Sequence, residues 1–97
     1  MSCALNHLVL TASVLETEPL RYTPSGVPAV NSQLEHTSEI SEAGQVRAVK
    51  ATLKSVAFGA IAERLAKQDI GSSWNFKGFL ATPKGAKKVV FHIQDFC

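Results

Sequence analysis

The chain has 97 residues, 45% of them hydrophobic and 19% charged, with a formal net charge of +2 and two cysteines, Cys3 and Cys97, at opposite ends. A chain of this length makes one domain, residues 1–97, with a single modest core and no room for a second. Two cysteines so far apart exclude a disulfide framework or a zinc cluster, and they read as free thiols of a reducing cytoplasm.

Asn6 and His7 interrupt the first apolar run and no basic residue precedes Arg21, which excludes a signal or transit peptide. The longest apolar run, Val56 to Ala62, is too short to cross a bilayer, so a soluble cytoplasmic protein without membrane contact is expected.

The first strand is predicted over Asn6 to Glu16, with Leu8, Leu10, Ala12 and Val14 on one parity. A connection from Thr17 to Gly26 follows. Within Thr23-Pro24-Ser25-Gly26-Val27-Pro28, Pro24 presets a turn dihedral, Gly26 permits a positive one, and Pro28 removes a ladder donor where the next strand begins. The second strand runs from Val27 to Ser38 through Val30, Leu34 and His36, and ends in a polar turn from Glu39 to Gly44. A third strand starts at Gln45. It carries Arg47, Val49, Ala51, Leu53 and Ser55 on one parity, and Val46, Ala48, Lys50, Thr52 and Lys54 on a solvated one.

The period then changes. Phe58, Ile61, Ala62, Leu65 and Ala66 share one helical face, Glu63 and Lys67 form an i,i+4 pair opposite, and Gly71 closes a short amphipathic helix. Alternation resumes in a fourth strand, with Trp74, Phe76, Gly78 and Leu80 facing the core and Asn75, Lys77 and Phe79 facing out. A lysine-bearing loop, Thr82 to Lys88, leads to a fifth strand from Val89 to Phe96. This order is that of an all-β, five-stranded Greek-key barrel of the OB type, with one short helix between strands 3 and 4. An SH3-like barrel is the alternative, but it has no use for an apolar-faced helix at this point.

Charge is unevenly spread. Seven of the eight carboxylates precede residue 70, whereas Gly71 to Cys97 carries Lys77, Lys84, Lys87 and Lys88 against Asp95 alone. No phosphate-binding glycine loop, zinc-protease helix, nucleophile elbow or carboxylate pair is present, so neither an enzyme nor a bound cofactor is expected. His7, His36 and His92 lack the spacing of a metal triad and read as structural strand histidines.

Several segments, in order, carry a resemblance: Asn6-His7-Leu8-Val9-Leu10, Pro19-Leu20-Arg21, Pro24-Ser25-Gly26-Val27-Pro28, Leu34-Glu35-His36, Glu42-Ala43-Gly44 and Gly78-Phe79-Leu80. Together they resemble the bacterial primosomal replication protein N family, relatives of single-stranded DNA-binding protein. The resemblance implies a homodimeric OB fold that binds single-stranded DNA and assists the primosomal helicase when replication restarts. Two departures stand out. Such proteins use rings on strands two and three as base platforms, yet Thr23 to Ala57 contains no Phe, Tyr or Trp, so weaker and more electrostatic binding is expected. The chain also reaches Cys97 without a Gly-rich linker or acidic tip, and its fifth strand is expected to be incomplete, which favours the primosomal family over its relative.

Lys84, Lys87 and Lys88 occupy the loop that grips nucleic acid in OB folds, and also suit a soluble hairpin tip. Lys50 and Lys54 would extend a basic track across the third strand, with Arg47 on the opposite parity, although a solvated face accounts for all three equally well. Arg21 and Tyr22 offer one cation and one ring beside the turn. Phe79, facing out beside Lys77, offers either a stacking surface or a contact with another protein of the primosome, and the contact is the expectation. The competing functions are an interaction module with little affinity for DNA and a cold-shock-type RNA chaperone; the latter requires an aromatic cluster on strands two and three that this chain lacks.

Overall fold

A computed structural model describes residues 4–97, so Cys3 lies outside the described residues. Among the described residues, period-two alternation forms six strands and a 3.6-residue period one helix: β1 (Leu8–Thr17), β2 (Arg21–Tyr22), β3 (Pro28–Glu42), β4 (Gln45–Phe58), α1 (Ala60–Ala66), β5 (Ser73–Ala81) and β6 (Val90–Phe96). They make one sheet in the order β1-β5-β6-β4-β3-β2, closed into a barrel by a further β1–β3 pairing. β1 manages both contacts by dividing its length. Leu8 to Ser13 pair with β5, Ser13 to Thr17 pair with β3, and a bulge between Val14 and Glu16 bends the strand across. β4 and β6 run parallel from Ser55 to Ala57 and from Phe91 to Ile93, while the other pairings are antiparallel.

The expected all-β OB-type architecture is present, with the helix between the third and fourth long strands. The strand count is six rather than five because Arg21 and Tyr22 pair with Ala29 and Pro28. The last strand, expected to be incomplete, pairs with β5 from Val90 opposite Ala81 to Phe96 opposite Phe76.

Three boundaries differ from the sequence expectation. The Glu39–Gly44 turn shrinks to Ala43-Gly44, whose φ angles of 52° and 77° match the twist of the long β3–β4 ribbon, so Glu39 to Glu42 stay paired. Phe58 is the last residue of β4 instead of the first of the helix: Gly59, at φ 77° and ψ −145°, breaks the chain direction between them while its N–H donates to the Pro28 carbonyl. Finally, α1 ends at Ala66, well before Gly71, as Lys67 and Gln68 donate to the Arg64 and Leu65 carbonyls and tighten its last turn. Among the described residues, the ion pair of the helix is Arg64 with Asp95 at 3.3 Å, not Glu63 with Lys67. Arg64 also donates to the Phe96 carbonyl and lies 4.0 Å over the Phe96 ring.

The inward parity reads as expected. Val14, Val30, Leu34, Phe76 and Phe91 are fully buried, with Phe96 beside them, and α1 caps the barrel with Ala62 and Leu65. Each large side chain contributes about 1.5–3 kcal/mol by leaving water. His36 is structural as expected, its Nδ1 donating to the Thr11 carbonyl at 2.6 Å and its Nε2 accepting from Ser38 at 2.8 Å. His7 is exposed ahead of β1, outside any strand, whereas His92 lies within β6, half-buried and packed on the Phe79 ring.

Inside the β3–β4 ribbon, the buried Ser32 and Ser55 hydroxyls meet at 2.6 Å, and Ser55 also donates to the Ser32 carbonyl at 3.1 Å. Ser55→Ala leaves the buried Ser32 hydroxyl without its partner, which costs about 1–3 kcal/mol, whereas Ser32→Ala leaves Ser55 its bond to the Ser32 carbonyl. Ser55→Ala is therefore expected to lower the midpoint of urea unfolding more than Ser32→Ala does, and the reverse order would refute the pairing.

Candidate nucleic-acid interface

Because side chains alternate along a strand, the outer face of the β3–β4 ribbon is set by register. Asn31, Gln33, Glu35 and Thr37 stand opposite Val56, Lys54, Thr52 and Lys50. Lys54 therefore points outward from the middle of the barrel wall. The loop after β5 returns beside it, and Lys54 and Lys88 line one open groove of ≈ 440 Å³ together with Gln33, Thr52, Leu53 and Val89. No carboxylate lines this groove, so two ammonium groups act on it without a local counter-charge. Lys84 and Lys87 stand exposed on the same loop.

The other cations are distributed differently. Arg47 lies opposite Ile40 on the inward parity and pairs with Glu42 at 3.2 Å, out where residues 39–48 are all exposed. Lys50 shares the parity of Lys54 but its ammonium lies 3.7 Å from Glu35. Exposed pairs like these add little stability, about 0–1 kcal/mol, yet each removes most of the field its cation would present to a phosphate. Arg21 donates through Nε and Nη2, at 3.2 and 2.8 Å, to the Asn31 carboxamide oxygen. Asn31 in turn borders a second hollow of ≈ 320 Å³ that Lys54 also lines, together with Glu16 and Glu18. The two hollows thus meet at Lys54, one flanked by Lys88 and the other by carboxylates. Tyr22 is 62% exposed at the end next to Pro28.

Phe79 faces outward as the alternation predicts, but it is not isolated. Its ring stacks on His92 of β6, with centroids 4.7 Å apart and planes 16° apart, and Phe58 flanks His92 on the other side at 6.0 Å. Sequence reasoning misses two of these three rings. Phe58 fits the helical period, although it also continues the outer parity of Lys50, Thr52, Lys54 and Val56. His92 needs the β5–β6 register, which a bulge between Lys77 and Gly78 shifts by one residue.

Comparison with known proteins agrees with this architecture. A family model described as another single-strand binding protein family matches residues 6–95. The replication restart protein PriB of Bordetella pertussis is 43% identical over 92 residues, covering 94% of this chain and 86% of the relative. The chain belongs to the PriB family of single-strand binding proteins. A solved structure of a family member, PriB from Ralstonia solanacearum, superposes with a TM-score of 0.88 at 36% identity and covers 97% of each chain. The single-stranded DNA binding protein from Thermus aquaticus, at 23% identity, shares the fold with a TM-score of 0.76 over 96% of this chain and 49% of its own.

Proposed function

We propose that the protein is a non-catalytic single-stranded DNA-binding accessory of replication restart, working in the cytoplasm and holding DNA mainly through its backbone phosphates. The observation that carries this reading is the convergence of Lys54 with Lys88 on a groove free of carboxylates, in a chain of the PriB family. Lysine needs no fixed geometry to neutralise a phosphate, and phosphate contact supplies most of the affinity that does not depend on sequence. Lys84 and Lys87 extend the positive field along the loop. Arg21, Tyr22, Arg47 and Lys50 belong to the same proposed interface as flanking members, with Arg47 and Lys50 available to phosphates only as they exchange their carboxylate partners.

A homodimer would double this track. Among the described residues, the Leu8 to Ala12 segment forms its strand pairing with β5 alone, since pairing to β3 begins at Ser13, and Val9 within it is 55% exposed. Such an edge suits isologous pairing with a second copy. Sedimentation is expected to return twice the 10.4 kDa chain mass, and a species of single-chain mass at micromolar concentration would remove the dimer from the proposal.

The primosomal helicase is the proposed protein partner. Ile40 and Val46, exposed on the distal ribbon, favour a second reading in which protein contact is the main function and DNA affinity is incidental. Fluorescence anisotropy with a labelled single-stranded oligonucleotide separates the two. Binding at micromolar affinity or tighter near 0.15 M salt, falling linearly in log K with log salt, is expected for the first reading; absence of binding there leaves the second.

A further inference from the structure

We propose that Phe58, His92 and Phe79 form the base-stacking platform of this protein, taking nucleobases of a single strand whose phosphates lie on Lys54, Lys88 and the loop that carries Lys84 and Lys87. The inference rests on the DNA-binding reading above and adds where the bases go. The chain has seven aromatic residues. Phe76, Phe91 and Phe96 are buried, and Trp74 is half-buried edge-on against Phe96. Of the seven, Tyr22, Phe58 and Phe79 remain, and the last two flank the His92 imidazole on the outer face of the barrel. The Tyr22 strand is tied through Arg21 and Asn31 to the hollow that Glu16 and Glu18 border, where a phosphate chain meets like charge. The ladder has the opposite setting. Its hollow of ≈ 340 Å³ is completed by Val56, Ile93 and Gln94, without a carboxylate.

Connectivity makes the ladder continuous with the lysine groove. β4 and β6 separate around Lys54 and Lys88-Val89, and are joined immediately beyond, where Val56 pairs with His92. Lys54, Val56 and Phe58 alternate along one strand face, about 7 Å apart at each step. On the other flank, Phe79 pairs with His92 only two residue pairs below the lysine loop, because Ala81 and Val90 close that hairpin. A strand lying along this seam keeps phosphates at the ammonium groups while its bases turn onto the neighbouring rings. Gln94 and the edge of His92 leave polar atoms beside the rings. Sequence-tolerant stacking needs a π-face next to a cationic track, and the outer face of β3, which lacks rings, does not supply one.

The test compares an intact oligothymidylate with one of equal length whose central nucleotides are abasic, so that phosphate number is constant. The parent is expected to prefer the intact strand. Phe58→Ala/Phe79→Ala should lose that preference, with affinity for the intact strand lowered about 5- to 150-fold for each base unstacked, and with the salt slope unchanged. Lys54→Ala/Lys88→Ala should instead weaken both strands and reduce the slope. Phe79→Trp serves as a variant that keeps a ring: it should bind like the parent, and its added fluorescence should be quenched by the intact strand and not by the abasic one. An intact-over-abasic preference that survives in the double phenylalanine variant, or added fluorescence in the Phe79→Trp protein that stays unquenched at saturation, overturns the platform while leaving the DNA-binding reading in place. So does a double phenylalanine variant that binds DNA like the parent but loses association with a second protein. A parent that binds neither strand overturns both.

Discussion

Replacing Lys54, Lys84, Lys87 and Lys88 together by alanine is expected to weaken single-stranded DNA binding by about two orders of magnitude at 0.15 M salt and to flatten the dependence of log K on log salt by about 2.8. Each lysine that neutralises one phosphate contributes a slope of about 0.7, which amounts to about fourfold in affinity at that salt. The effect should be nearly the same on any base composition, because backbone contacts carry no sequence information. Alanine at Arg47 or Lys50 is expected to move the slope by less than one lysine's share, since Glu42 and Glu35 already lie 3.2 and 3.7 Å from those cations. The carboxylate makes the sharper probe. Glu35→Gln frees Lys50 on the same face as Lys54, so binding should tighten and the slope should steepen. A fourfold lysine variant with the parent's slope would show that phosphates lie elsewhere, and a weaker Glu35→Gln protein would show that Lys50 does not face them.

The contrast between Lys54 and Lys50 marks how far the sequence can be read. Parity alone places both outward, and the outward face of β4 is legible from Lys50, Thr52 and Lys54 by themselves. Their different surroundings depend on cross-strand neighbours. Glu35 comes diagonally beside Lys50 only because the ribbon turns at Ala43-Gly44, and a turn six residues long, as the polar composition of 39–44 suggests, would set another register. Core positions are legible for a simpler reason: burial follows period two within a strand and does not require knowing the partner. Phe76, Val14 and Leu34 therefore lie where alternation puts them. Phe58 shows the opposite case. Its spacing fits the helix that follows as well as the strand that precedes it, and periodicity cannot choose between them. Gly59 decides, because the chain reverses direction there. The ring ladder is thus hidden by one ambiguous boundary and one bulge, not by any lack of aromatic residues.

That bulge supports the second large effect. Gly78→Ala is expected to cost more than about 3 kcal/mol and to lower the midpoint of thermal unfolding by more than about 12 °C, in a domain where each kcal/mol shifts it by about 4–8 °C. The cause is space rather than backbone angle, since Gly78 is not among the glycines with positive φ. A Cβ there would lie 1.8 Å from the His92 carbonyl oxygen and 2.9 Å from both the His92 carbonyl carbon and Phe91 Cε1. Backbone oxygen cannot rotate away as a side chain can, so β5 and β6 must part at the register shift that joins them. Gly85→Ala is the matched control. Its site in the lysine loop has φ 83° and no heavy atom within 4 Å, so only a left-handed residue is strained, at about 1–2 kcal/mol. Adding Phe91→Leu to Gly78→Ala discriminates between the two obstacles. The second substitution removes the ring contact but leaves the carbonyl, and no recovery is expected; a recovered midpoint would assign the clash to the ring. The same parting of strands moves His92 relative to Phe79, so any Gly78→Ala protein that remains folded should lose its preference for intact over abasic DNA while keeping the parent's salt slope.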